Sequence, residues 1–136
     1  MSFDPILYSH VAKEEDYPDK TVIIEEGSTG YWIFVVLEGK VRVTQKTPQG
    51  AVTIDTLKEG DVFGEMAFFE RGRGMRTASV IADGPVRLGL LDTDQLDKDY
   101  EALSPQLKEL ITTLIIRLKE TTRQASTLSA EKSLRR

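Results

Sequence analysis

Glycine recurs at Gly27, Gly39, Gly50, Gly60, Gly72 and Gly84, one every ten to twelve residues. Short apolar segments separated by that interval are the rhythm of strands joined by tight turns in a sandwich or barrel. The segments fit. Val41 and Val43 alternate with Arg42 and Thr44, Val52 and Ile54 with Thr53 and Asp55, and Val86, Leu88 and Leu90 with Arg87 and Gly89. Each pattern sets one face on a core and the other toward water. Trp32 to Leu37 is apolar at every position and reads as a central strand covered on both faces. "EGK", "QGA", "EGD" and "DGP" supply the turns. "PILYSHVAK", residues 5–13, reads as a short helix.

After Asp92 the glycines stop. Ser104 offers an N-cap and Pro105 the first helical position. Leu107, Ile111, Leu114, Leu118, Thr121, Ala125 and Leu128 then recur at alternating spacings of four and three, a heptad seam widened by Leu110 and Ile115. Two placements fit that stripe: a helix lying on its own barrel, and a helix shared with a second copy of the chain. The polar stretch 127–136 reads as a flexible tail.

Composition removes several classes of function. With 136 residues the chain suits one domain. No apolar run is long enough to span a bilayer, and Met1 to His10 lacks the pattern of a secretory signal, so a cytoplasmic location is expected. There is no cysteine and His10 is the single histidine. That excludes thiolate and His-rich metal centres and leaves no ready Ser–His or Cys–His catalytic pair, so neither catalysis nor a metal is expected. A net charge of −4 argues against broad capture of nucleic acid but allows a local basic pocket.

The chemistry concentrates in "FGEMAFFERGRGMRTASV", Phe63 to Val80. A strand reaching Gly64 would turn into a short helix there, and glycine lets a ligand approach the backbone closely. The amides of Glu65, Met66 and Ala67 would be unpaired first donors, suited to an anion. An ionised Glu65 accepts from a hydroxyl such as that of a sugar. Arg76 offers a planar fork for two phosphate oxygens, and Thr77 and Ser79 add hydroxyls. The group suits a compact ligand with one phosphate and a neighbouring sugar hydroxyl. The plainer reading is a common Gly-Glu turn beside solvated arginines.

Taken together, these motifs resemble the cyclic-nucleotide-binding domain of bacterial catabolite activators and of the regulatory subunits of cyclic-AMP-dependent protein kinases. "FVVLEGKVRV" is similar to the family's strand and turn, "LKEGDVFGEMAFF" to the entry of its phosphate-binding cassette, and "RTASV" to the exit. The resemblance covers nearly the whole chain. It implies a mainly β fold with flanking helices, a double-stranded β-helix (jelly-roll-like) barrel over about 20–92 followed by a C-terminal helix over about 104–126, within a domain of 1–126.

It also implies roles. Gly64 would allow close approach, Glu65 would accept the ribose 2′-hydroxyl, and Arg76 would pair with the cyclic phosphate alongside the Met66 and Ala67 amides. Thr77 would add a hydroxyl, and Thr121 and Thr122 would meet the base from the long helix. Arg71 and Arg73 rival Arg76 by charge alone, although Arg76 has the better downstream match. Met75 stands where the family usually has proline or a polar residue.

The expected activity is that of a regulatory sensor that binds cyclic AMP and signals by moving its C-terminal helix, as a homodimer through that helix. Thr77, directly after the cassette arginine, resembles cyclic-GMP-selective channels and kinases, so cyclic GMP is the alternative ligand. The alternatives in function are a fragment of a catabolite-activator-type transcription regulator and a degenerate scaffold that binds no nucleotide. A helix-turn-helix needs two further helices after the seam, so no DNA binding is expected from this chain alone.

Overall fold

The computed structural model describes residues 9–71 and 75–134, and the side chains of Thr122 and of residues 125–134 lie outside that description. The described residues form eight strands in two antiparallel four-stranded sheets. One sheet has the order β1 (Val11–Tyr17), β8 (Val86–Leu91), β3 (Phe34–Glu38), β6 (Val62–Phe63). The other has the order β2 (Val22–Ile24), β7 (Ser79–Ala82), β4 (Val41–Thr47), β5 (Gly50–Leu57). Helix α1 (Glu65–Phe69) interrupts the barrel between β6 and β7, and α2 (Thr93–Glu101) and α3 (Pro105–Leu134) follow it. This is the expected jelly-roll-like barrel with a long C-terminal helix.

The glycine rhythm has its physical cause in the turns. Gly27, Gly39, Gly50, Gly60 and Gly84 all have φ between 83° and 112°, where a side chain is strained. Gly72 lies outside the described residues. At Gly39 space forbids a side chain as well, because a Cβ would meet the Pro85 carbonyl oxygen at 2.5 Å.

The core has two compartments. Phe34, Val36, Val41, Phe63, Val80, Leu88 and Leu90 fill the space between the sheets. Ile33, Val35 and Leu91 point out of the first sheet and pack with Phe68 of α1 and Tyr100 of α2. β3 is apolar on both faces because each face has its own cover. Val35 and Val36 are 1% and 0% exposed; burying each stabilises the fold by about 1.5–3 kcal/mol.

Four expectations need correction. Residues 11–13 of the expected N-terminal helix begin β1, and residues 5–8 lie outside the described residues. β1 pairs with β8 from Val11↔Leu91 to Tyr17↔Val86. It is an edge strand whose charged residues obscure the alternation. The barrel therefore starts at 11, not near 20. Trp32 is 55% exposed, and the doubly covered strand starts after it. Helix α2 has no counterpart in the sequence reading, although Asp92 caps it by accepting from the Asp94 amide at 3.0 Å. Finally, α3 continues past residue 126 to Leu134, so most of the expected tail is helical.

Its start is as expected, with Ser104 Oγ accepting from the Leu107 amide at 3.2 Å. The seam divides. Ile115 is buried and Ile111 packs against the second core compartment, while Leu107, Leu110 and Leu114 stay 49–59% exposed. No helix among the described residues is long and apolar enough to cross a membrane.

Candidate functional site

At the end of β6, Gly64 takes φ 85° and turns the chain into α1. A Cβ there would sit 2.6 Å from the Trp32 carbonyl oxygen and 3.2 Å from Arg76 Nη1. Glycine is thus demanded by conformation and by space together. The five-residue helix is held by its apolar side, where Ala67 and Phe68 are buried. The Phe68 ring meets Phe69 at 5.2 Å and Tyr100 at 6.2 Å. Its other side faces a cavity of about 470 Å³ inside the barrel, a size suited to a small ligand.

The cavity wall from the barrel is mostly apolar, with Ile24, Val43, Leu57 and Val80 beside Asp55. Phe63–Val80 supplies most of the polar groups: Glu65, Arg76 and Thr77 all line the same space, with Gly64, Met66 and Ala67 beside them. Leu118 and Thr121 of α3 complete the lining. Of the eight residues singled out in the sequence, seven therefore share one cavity. Thr122 is in α3, and its side chain lies outside the description. Ser79 has a different partner, its hydroxyl accepting from the Glu26 amide at 2.9 Å.

Arg76 is aimed by backbone. Nη1 donates to the Gly64 carbonyl at 2.9 Å and Nη2 to the Trp32 carbonyl at 3.2 Å, using two of the five N–H donors of the fork. The guanidinium passes so close to Gly30 that a Cβ there would lie 3.0 Å from Nη2. Burial lowers the Arg76 pKa, opposed by the charges of Glu65 and Glu70; an arginine stays cationic near neutral pH regardless. Burial pushes the Glu65 carboxyl above its ordinary value, opposed by its own backbone amide and by Arg76.

Arg71 has a different neighbourhood. It pairs with Asp97 at 2.8 Å and Glu101 at 3.3 Å, both on α2. Its guanidinium carbon sits 4.6 Å from the Tyr100 ring centroid and 5.2 Å from that of Phe68. The Tyr31 hydroxyl donates to Asp97 as well. Arg73 lies outside the described residues.

Three cavity or rim residues escaped the sequence reading. Asp55 of β5 and Glu70 both line the cavity. Lys119 of α3 pairs with Glu70 at 2.6 Å and ties the long helix to the end of α1. Asp55 was visible only as the polar member of an alternating strand. The Lys119–Glu70 pair joins residues far apart in the chain and leaves no local pattern.

The family model described as "Cyclic nucleotide-binding domain" matches residues 14–101. The chain belongs to this family. This cyclic nucleotide-binding domain is 31% identical over 134 residues to the cAMP-activated global transcriptional regulator CRP of Pasteurella multocida, covering 94% of this chain and 62% of the regulator. It is 38% identical over 92 residues to the cGMP-dependent protein kinase, isozyme 1, of Drosophila melanogaster, covering 65% of this chain and 12% of the kinase. The domain thus spans less than two thirds of either relative. Among solved structures it is similar to an EAL enzyme in its cAMP- and cyclic-di-GMP-bound form, with a TM-score of 0.75 and 26% identity, covering 87% of this chain and 31% of that one. The cGMP-bound form of that enzyme is also similar, with a TM-score of 0.72 and 26% identity over 79% of this chain and 28% of that one.

Proposed function

We propose that the domain is a non-catalytic sensor that binds cyclic AMP in the barrel cavity and reports occupancy through α3. The observation that carries this reading is the convergence of Glu65, Arg76 and Thr121, from three parts of the chain, on one cavity of about 470 Å³. Arg76 pairs with the cyclic phosphate through the donors not turned to Gly64 and Trp32, supported by the Met66 and Ala67 amides at the start of α1. Glu65 accepts the ribose 2′-hydroxyl, Gly64 permits the close approach, and Thr77 adds a hydroxyl.

The base lies toward α3, where Thr121 and Thr122 meet it. Asp55 also lines the cavity, but its carboxylate accepts equally from the adenine amino group and from the N1–H and amino group of guanine, so the choice of cyclic AMP does not rest on it. The cAMP-activated regulator among the relatives supports that choice, while the cGMP-dependent kinase keeps cyclic GMP as the alternative. Ligand shifts α3 only by its differential affinity for the two positions of the helix. Contact with α3 at Leu118 and Thr121 supplies such a difference.

In the proposed reading two copies pair in the cytoplasm through α3, supported by the exposure of Leu107, Leu110 and Leu114. A second reading makes the domain the input part of a transcription regulator, favoured by its alignment with 62% of such a protein.

Calorimetric titration of the protein with cyclic AMP and cyclic GMP tests the proposal. The expected result is saturable binding of both, tighter for cyclic AMP. No heat from either ligand at about 1 mM, the weakest affinity that would still matter, would leave a scaffold that binds no nucleotide.

A further inference from the structure

The exit of the cassette, Arg76 to Ala78, precedes β7 and needs something other than a sheet to hold it. β4 and β7 pair from Val41↔Ala82 to Thr44↔Ser79. In the same register the next backbone donor toward Thr77 would be that of Lys46. The Lys46 amide instead donates to Glu26 Oε1 at 2.8 Å. The Gln45 side chain takes over: its Nε2 donates to the Thr77 carbonyl at 2.8 Å. From the other side the Gly27 amide donates to the Arg76 carbonyl at 2.8 Å, and the Arg76 amide to the Ser28 carbonyl at 2.7 Å. The Glu26 amide closes the set on Ser79 Oγ.

Gln45 is 8% exposed. A buried amide costs free energy unless its hydrogen bonds are made, and an apolar side chain is the ordinary occupant of a covered strand position. We propose that Gln45 and Glu26 are positioning residues for phosphate recognition. Gln45 holds the Thr77 carbonyl directly, and Glu26 ties the loop whose Gly27 and Ser28 hold the Arg76 backbone to Lys46 of β4 and to Ser79, so that the guanidinium starts from one fixed point. Neither lines the cavity. Both act through Arg76, so this inference rests on the proposed pairing of Arg76 with the cyclic phosphate. An arginine reaching through its flexible stem turns a small backbone shift into a lost paired contact.

Calorimetry of the full chain with cyclic AMP tests the clamp. Gln45→Leu removes the donor, and Gln45→Glu keeps the shape but sets an acceptor against the Thr77 carbonyl. Each is expected to weaken cyclic AMP by about tenfold. Glu26→Gln retains an oxygen acceptor for the Lys46 amide and keeps wild-type affinity, whereas Glu26→Ala does not. The decisive readout is coupling. In an Arg76→Lys background, where a point charge has no fork to orient, Gln45→Leu should change affinity by less than about twofold. Equal losses in both backgrounds would mean a merely structural glutamine and overturn the clamp. Wild-type affinity in both Gln45 variants would overturn it too, while the wild type's own binding keeps the proposed function standing. A wild type that binds neither cyclic nucleotide sinks both.

Discussion

Arg71 and Arg76 carry the same side chain into different surroundings. Arg71 is enclosed by two carboxylates and aromatic rings on the α2 side, while Arg76 borders the cavity. Arg76→Ala should therefore cost cyclic AMP roughly 2–5 kcal/mol, or about two to four decades of affinity by calorimetry. Arg76→Lys should recover part of it. Glu65 adds a pH dependence. Its carboxyl is raised in the folded state by burial, so the folded protein holds the proton more tightly than the unfolded chain. Its contribution to stability therefore falls as pH rises from the ordinary value near 4.5 through the raised one. On the proposed role of Glu65 as acceptor for the ribose hydroxyl, cyclic AMP should bind more weakly as pH falls through the same window. Glu65→Gln should flatten both trends, read by thermal melting and calorimetry across pH, and unchanged slopes would count against the assignment.

At the scale of elements, α1 is the junction. Gly64 starts it in a left-handed conformation, and Arg71, with φ 60°, follows its end. Gly64→Ala forces a Cβ against the Trp32 carbonyl and should destabilise the domain by about 1–3 kcal/mol in urea unfolding. Beyond the helix, Arg71 binds α1 to α2, and Glu70 binds α1 to α3 through Lys119. Arg71→Ala should loosen the first link and cost about 1–3 kcal/mol of stability. Lys119→Ala should leave stability nearly unchanged, because a partly exposed pair is worth about 1 kcal/mol or less. It should nevertheless raise hydrogen exchange in α3 of the unliganded protein. Exchange in α3 identical to the wild type would show that the ion pair does not hold the helix.

For the whole molecule, the fate of the α3 leucines decides the assembly. Ile111 packs on its own barrel, so Ile111→Asp would damage the fold itself. Leu110 and Leu114 are exposed and separate the two effects. Leu114→Asp or Leu110→Asp should convert the proposed dimer into folded monomers by sedimentation, because each would set a charge into its seam. A wild type that sediments as a monomer at tens of micromolar would rule that dimer out.

Local stereochemistry is what the chain alone determined. The turns at Gly39, Gly60 and Gly84, the N-cap at Ser104 and the Gly64 entry to α1 each depend on a few consecutive residues. Their signals lie where a reader of the sequence looks. The alternating strands were legible for the same reason. The tertiary structure alone decided which groups face one another. β1 became a strand because β8 was there to pair with it. Arg71 left the cavity because Asp97 and Glu101 follow it on a helix the sequence reading missed. Gln45 came to hold Thr77 because the 26–28 loop occupies the neighbouring donor. Such partners are brought together by the sheet order β2-β7-β4-β5 and its counterpart. That order follows from closing a shared core around long-range pairings, and no short stretch of residues records it.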